Sequence, residues 1–450
     1  MRRPLTSLIR WLFESLVRLY YPTRVVEGAE RIPLGGPLIF VLNHPNGLLD
    51  PVLLRVAVGR PARFLGKSTL FANPLGRLAM NAFGTIPVYR VRDAGARAGD
   101  ASRNDESFAR CRQALGQGEA LALFPEGTSH SDPQLRPLKT GAARIALSAE
   151  AEHDGKLGVT VVPVGLDYER KARFRSRVLL VVGEPIAIAP QLPAYRQDER
   201  QTVDQLTDEI RQRLDAVVLQ AETRELLTGI AAVATWTAQP AAPGDNDAGG
   251  DGLAGHHRRA RELLAAYQRM RARDPARVDT IAAAARDYAR TLRHLGVQNP
   301  WALELETVKP SHLLGAVARI VLALPFAIVG ALLGWLPYRL AGQVAARLTH
   351  DEDVLGTVKL MTGATFLLVA WLGEAIAIGV WRGALAGVAT FGLGLGGGYA
   401  ALRFEELAIE VAEAFRMLWL RAWRFDTARR LAERRRRLAD DVARALREAT

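Results

Sequence analysis

Between Ile320 and Tyr338 the chain runs for 19 residues without a charge, flanked by Arg319 and Arg339 and closing on Trp335 and Tyr338. A helix of that length matches a hydrocarbon core of about 30 Å, and the aromatic and cationic ends suit the interface. Such a stretch has two stable homes, a bilayer or the interior of a helical bundle, and it is read here as a spanning helix. A second apolar block, 360–402, is interrupted by Glu374 and Arg382 and by Gly392, Gly394, Gly396, Gly397 and Gly398. It is expected to supply one span plus a shorter segment, or a hairpin within the bilayer. Glu374 is expected to face protein or interface rather than lipid, with no catalytic role.

Mean hydropathy is +0.02, and 49% hydrophobic with 24% charged residues resembles an ordinary soluble protein of 450 residues. That average mixes two solvents. The net charge is +12, and the segment from Arg416 onward carries eleven arginines against five acids, half of that total. Standing just after an apolar block, this segment reads as a cytoplasmic helix facing anionic phospholipid. A bilayer holding the adjacent apolar blocks already supplies an anionic surface, so no nucleic-acid partner is expected. With the N-terminal domain also on the cytoplasmic side of an inner (cytoplasmic) membrane, the number of crossings must be even. A single cysteine, Cys111, excludes an intrachain disulfide and any Cys-based metal cage. In a segment read as helix, it is expected to serve packing rather than to act as a nucleophile.

At the other end, Arg10, Glu14 and Arg18 recur every four residues inside an otherwise apolar segment. No uncharged signal-peptide core survives, and the pattern predicts an amphipathic helix that lies at a membrane surface or packs on the neighbouring domain. From Pro37 to about Pro190 short apolar runs (38–42, 86–89, 120–124, 159–164 and 178–182) alternate with helical segments near 51–58, 107–115 and 142–151. Strands alternating with helices indicate an α/β fold with a mixed or largely parallel sheet flanked by helices. Residues 199–235 read as helical and 239–255 as a Pro/Gly/Asp/Ala linker. Two arginine-rich helices, 257–273 and 276–295, form an αα-hairpin split at Asp274-Pro275. The expected organisation is therefore an N-terminal membrane-associating helix (1–30), an α/β domain (31–200) and a helical region (201–300). A membrane-embedded helical region (311–405) and a basic tail (406–450) follow.

Four short segments sit where the strands end: Asn43-His44-Pro45-Asn46-Gly47-Leu48-Leu49-Asp50-Pro51, Gly84-Thr85-Ile86-Pro87-Val88-Tyr89-Arg90, Phe124-Pro125-Glu126-Gly127-Thr128, and Val162-Pro163-Val164. A histidine after a strand with a carboxylate six positions on is the pattern of a general base whose tautomer an aspartate fixes. Six residues along a straight helix do not align, so His44 and Asp50 meet only if His44 lies in the Pro-Asn-Gly turn and Asp50 begins the helix. Arg90 offers a planar cationic fork suited to phosphate. Glu126, Gly127 and Thr128 put a carboxylate, a free backbone and a hydroxyl at a strand end, where open α/β sheets build their sites. The other seven histidines are scattered without ligand spacing. Neither a Walker-type phosphate loop nor a Gly-x-Ser-x-Gly elbow occurs, which argues against an NTPase or a serine hydrolase.

In this order and spacing the four segments resemble those of the glycerolipid acyltransferases, the phospholipid-synthesis group that includes glycerol-3-phosphate and lysophosphatidate acyltransferases. The resemblance covers roughly residues 5–190, with Phe-Pro-Glu-Gly-Thr its most specific part. It implies that His44 deprotonates an acceptor hydroxyl that attacks an acyl thioester, from acyl-CoA or acyl-ACP as co-substrate, while Asp50 orients His44. It further implies that Arg90, Glu126 and Gly127 bind a glycerophosphate acceptor and that Pro163 shapes the site, with Thr128 and Lys139 as additional acceptor ligands. No metal or redox cofactor is implied. One departure stands out: five residues separate His44 from Asp50, one more than in the family's commonest motif. The longer spacing is similar to that of fungal glycerol-3-phosphate/dihydroxyacetone-phosphate acyltransferases, which also carry C-terminal membrane segments. That favours glycerol 3-phosphate as acceptor, with lysophosphatidate or another lysophospholipid as one alternative and a non-catalytic membrane-binding, lipid-organising protein as the other.

Overall fold

The computed structural model describes residues 2–89, 100–237, 252–297, 310–349, 351–423 and 425–449. The chain divides into two units, residues 1–224 with 351–360, and residues 225–350 with 361–450.

The first unit opens with helix α1 (Arg2–Tyr20) and strand β1 (Arg24–Glu27). There follow β2 (Leu38–Leu42), α2 (Leu49–Val58), β3 (Ala62–Lys67), α3 (Pro74–Ala82), β4 (Ile86–Val88), α4 (Asp100–Gly116), β5 (Ala120–Leu123) and α5 (Gly141–Glu152). Strands β6 (Thr160–Tyr168), β7 (Val178–Val182) and β8 (Ile186–Ala187) and helices α6 (Leu192–Gln197) and α7 (Glu199–Asp215) complete it. The sheet order is β1-β7-β6-β2-β5-β3-β4, with β8 also on β6. Neighbours are parallel except where β6 meets β7 and β8. Strands β2, β5 and β7 are buried along their whole length, which is why they are unbroken apolar runs: both faces of the sheet are covered. Because β2 runs parallel to β5 and β6, with Val41 level with Leu123 and Pro163, the carboxyl ends of all three open on one edge of the sheet.

Pro163 sits inside a central strand, a position that normally needs a backbone N–H. The register explains it. On that side of β6, β8 pairs only as far as Val161 and β7 begins at Val164, so Pro163 lies in the gap. Its carbonyl still accepts from Gly183 N at 2.8 Å.

Helix α1 resolves its two expected roles by dividing its apolar surface. Val17 and Tyr20 are buried, with Ile9, Phe13 and Leu16 beside them on the core, and Glu14 Oε1 accepts from Arg55 Nε of α2 at 2.7 Å. Leu5, Leu8, Trp11 and Leu12 remain exposed, Trp11 by 60%. Strand β3 and helix α3 were not anticipated. The strand alternates buried and exposed residues around Arg63, which pairs with Glu119, and the helix is opened by Asn73, whose side chain accepts from Gly76 N.

Among its described residues the second unit is helical: α8 (Arg224–Thr237), α9 (Leu253–Arg273), α10 (Pro275–Leu295), α11 (Pro310–Leu348), α12 (Glu352–Arg382, whose first turns to residue 360 belong to the first unit), α13 (Ala384–Trp423) and α14 (Phe425–Ala449). Helix α9 starts within the stretch expected to be linker, of which 239–251 lies outside the described residues. Asp274 caps α10 by accepting from Arg277 N at 3.0 Å, making the αα-hairpin. The basic α14 packs on that hairpin, with Ala445 against Met270 and Val278. Arg434 meets Asp287 at 3.1 Å, and the buried Arg435 donates to Trp236 O at 3.1 Å. Arg429, Arg430, Arg436 and Arg437 stay exposed. The boundary expected at 406 falls inside α13, which is continuous across it.

Among the described residues three stretches are long and apolar enough to cross a membrane: Val317–Leu348, Glu352–Arg382 and Ala384–Ile409. The second apolar block is therefore two helices, parted at Gly383, whose φ is +99°. The glycine-rich run at 392–398, expected to break the block, is helical throughout, because its missing side chains are used for packing. A Cβ on Gly330 of α11 would fall 1.8 Å from Gly397 O, and Cβ atoms on Gly394 and Gly398 would strike the Trp371 ring of α12. Close approach of helix backbones at small residues is the usual means of association in apolar surroundings.

Candidate active site

The loop after β2 carries His44 and the loop after β5 carries Glu126. Parallel pairing of their strands brings the two loops together, and His130 N donates to His44 O at 3.1 Å. Gly47, at φ +38°, closes the Pro45-Asn46-Gly47 turn, and Asp50 lies in the first turn of α2. Its Oδ2 accepts from His44 Nδ1 at 2.8 Å and from Asn46 N at 2.8 Å. A buried carboxylate in that position fixes the proton on Nδ1 and leaves Nε2 as the basic nitrogen. The imidazole is also stacked on Phe124, centroids 3.8 Å apart and planes within 14°.

Asp50 is fully buried, and its second oxygen accepts from the Tyr168 hydroxyl at 2.5 Å. Burial, reinforced by the Asp50 charge, raises the Tyr168 pKa well above its ordinary value, so the phenol stays a donor. Tyr21 extends the network: its ring lies 5.2 Å from that of Tyr168, and its hydroxyl accepts from Asn46 Nδ2 at 2.7 Å and donates to Lys171 O at 2.5 Å.

Glu126 is equally enclosed. Its Oε2 accepts from Arg136 N at 2.7 Å and from His130 Nε2. His130 Nδ1 accepts from Asp132 N at 3.2 Å, so the proton on this ring sits on Nε2 and is given to Glu126. Glu126 Oε1 is buried with no hydrogen-bond partner among the described residues, a costly condition that a bound hydroxyl relieves. His44, Glu126, His130, Tyr168 and Lys171 line one cavity of about 180 Å³. The Lys171 ammonium donates to Pro45 O at 3.4 Å and to Ser131 Oγ, and burial lowers its pKa.

The remaining expected residues fall elsewhere or partly so. Gly127 adopts φ +75°, and a Cβ there would stand 2.5 Å from Lys139 Nζ, so the Lys139 chain lies directly across it. Thr128 turns its hydroxyl toward Ser129 O at 3.3 Å. Pro163 is in the body of β6, three residues before Leu166, the first β6 residue on the cavity wall. Arg90 lies outside the described residues. Sequence reasoning missed His130, Tyr168 and Lys171. The one available signal was that each lies within eight residues of a recognised segment.

Residues 23–167 match the family model described as Acyltransferase. Glycerol-3-phosphate O-acyltransferase 2 of Saccharomyces cerevisiae is 31% identical over 51% of this chain and 30% of that protein. A chloroplastic 1-acyl-sn-glycerol-3-phosphate acyltransferase of Brassica napus is 30% identical over 37% of this chain and 43% of that protein. The crystal structure of the PlsC acyltransferase from Thermotoga maritima superposes with a TM-score of 0.34 at 21% identity, over 47% of this chain and 80% of that one. The chain spans less than half the length of the curated relatives it matches first.

Proposed function

Starting from residues 23–167 as a member of the acyltransferase family, we propose that the chain transfers a fatty acyl group from a thioester donor to a hydroxyl of a glycerophosphate acceptor in phospholipid synthesis. The observation that carries this reading is one cavity holding both a histidine with a fixed tautomer and a buried carboxylate oxygen without a partner. His44 Nε2 takes the proton of the acceptor hydroxyl as its oxygen attacks the thioester carbonyl carbon. Asp50 holds the imidazolium that forms, itself held by Tyr168 and the Asn46 N–H. The tetrahedral centre then collapses, the C–S bond breaks, and the proton on Nε2 leaves with the thiolate. Glu126 Oε1 accepts from a second hydroxyl of the acceptor. Arg90 and Lys139, the latter lying over Gly127, are assigned to its phosphate.

Glycerol 3-phosphate is the acceptor we favour. The five-residue spacing works geometrically, because Asn46 N caps the same Asp50 oxygen that holds His44. The test is a panel: purified protein in vesicles, labelled acyl-CoA and acyl-ACP, and glycerol 3-phosphate, dihydroxyacetone phosphate, lysophosphatidate and other lysophospholipids. Fastest transfer to glycerol 3-phosphate supports the assignment. Preference for lysophosphatidate transfers it to the second position of the backbone, and no transfer to any acceptor overturns the enzyme.

Membrane attachment follows from α11–α13 and from the exposed Leu5, Leu8, Trp11 and Leu12 of α1. Helix α10 precedes the apolar helices and α14 follows them, yet the two are joined by Arg277–Glu448 at 2.5 Å and Arg434–Asp287 at 3.1 Å. Segments that touch in water lie on one face of a bilayer, so the number of complete crossings between them is even. At most two of the three candidate helices α11–α13 therefore complete a crossing. Cysteines placed at 294 and 447, on α10 and α14, are expected to label from the same face, and labelling from opposite faces would overturn the even count.

A further inference from the structure

Residues Asp351–Leu360, the linker residue before α12 and its first turns, pack with residues 1–224 rather than with the rest of the helix. They lie about 190 positions beyond the last recognised segment, at Val164, and nothing in their sequence announced a part in the site. Their contacts fall on both loops that carry the proposed chemistry. Asp353 Oδ2 accepts from Ser129 Oγ, in the loop between Glu126 and His130. On the other loop the contact is made by backbone. A Cβ on Gly47 would stand 3.1 Å from Asp353 O, and a Cβ on Gly356 would stand 2.8 Å from Asn46 Oδ1 and 3.2 Å from Lys171 O. Around these, Glu352 Oε2 accepts from Arg224 Nη1 at 2.6 Å and lies 4.0 Å from Lys171 Nζ. Thr357 is buried, Lys359 Nζ donates to Ala172 O at 3.3 Å, and Leu360 joins the core of the first unit.

Acids at the start of a helix are favoured by its dipole whatever they touch, so Glu352 and Asp353 alone mean little. Gly356 is different. A glycine inside a helix is unfavourable relative to alanine, and the space its hydrogen leaves is filled by Asn46, whose own N–H holds Asp50. We propose that the first two turns of α12 are a positioning element of the acyl-transfer site, in which Asp353 and Gly356 hold the Ser129 loop and the Pro45-Asn46-Gly47 turn in register so that His44 faces the acceptor. The inference rests on the acyl-transfer reading. It also makes the start of a candidate membrane-crossing helix part of the site.

The experiment uses the full chain in vesicles, with the best acceptor from the panel. Asp353→Ala and Ser129→Ala are each expected to lower kcat about tenfold with both KM values little changed, because a displacement near 1 Å costs up to about 100-fold in rate without removing a ligand. The double variant is expected to be no worse than either single one, the mark of two groups acting through one contact. Asp353→Asn, whose amide oxygen still accepts from Ser129, is expected to restore most of the rate. Gly356→Leu is expected to lower kcat about 100-fold, while Gly363→Leu, on the same helix with open space around it, keeps the wild-type value. Wild-type kcat in Asp353→Ala and Gly356→Leu, additive losses at Ser129 and Asp353, or equal losses at Gly356 and Gly363 each overturn the proposal. Absence of transfer by the wild type would instead overturn the acyl-transfer reading, and the inference with it.

Discussion

His44 Nδ1 stands 2.8 Å from Asp50 Oδ2 although five residues separate them, because the turn between them ends on the first turn of α2 rather than continuing as helix. The pair makes a double prediction. His44→Ala is expected to lower transfer by about 10²–10⁴-fold with the fold preserved, since the ring is at the cavity wall, stacked on Phe124, and Asp50, which loses its Nδ1 donor, keeps those from Asn46 N and Tyr168. Asp50→Asn is expected to cost a comparable factor without loss of the histidine, because an amide can donate to Nδ1 and move the ring proton to Nε2. Steady-state rates beside circular dichroism check both.

Tyr168→Phe leaves a buried Asp50 oxygen without its donor, which is expected to cost about 1–3 kcal/mol of stability and to lower kcat through the looser carboxylate. The pH dependence has a definite sign. Burial raises the Tyr168 pKa above its ordinary 10.0, so above that value the unfolded chain loses this proton while the folded chain keeps it. The unfolded state then binds fewer protons, and stability falls as pH rises. Thermal midpoints on either side of pH 10 should therefore drop more steeply in wild type than in Tyr168→Phe; equal slopes would contradict the burial argument.

Gly127→Ala puts a methyl into a backbone at φ +75° and against the Lys139 chain. The strain is expected to cost roughly 1 kcal/mol or more. The displaced lysine should raise KM for the phosphate-bearing acceptor while KM for the thioester donor holds. Lys139→Ala should give the same asymmetry without the loss of stability, and that contrast separates the backbone effect from the charge.

Cys111 is fully buried in α4, and burial pushes its thiol up to about 12. A thiol held that far from ionisation is neither nucleophile nor redox sensor at neutral pH. Aromatic disulfide reagents are expected to label it only as the protein unfolds, and Cys111→Ala is expected to transfer acyl groups at the wild-type rate.

Several core strands were legible because full burial on both sheet faces demands unbroken apolar runs, as in Leu38–Leu42 and Val178–Val182. Strand β1, Arg24-Val25-Val26-Glu27, is half-buried and four residues long, too little pattern to read. The glycines at 392–398 look like breaks when only the backbone cost of glycine is weighed, and the partners that offset it, Gly330 and Trp371, are remote in sequence. His44 and Glu126 were recognisable because each sits in a segment that ends a strand. Tyr168 was not, since its tie to Asp50 is set by how far β6 runs past β2, a matter of register. Arg90 shows the reverse case, a motif residue whose surroundings lie outside the described residues.

Gly330 and Gly397 touch backbone to backbone across 67 positions of chain. That contact cannot exist while the chain is still being made up to α12, so α11 waits, with an apolar surface uncovered, until α13 has emerged. A bulky residue at either glycine would hold the two backbones apart and leave that surface uncovered for good.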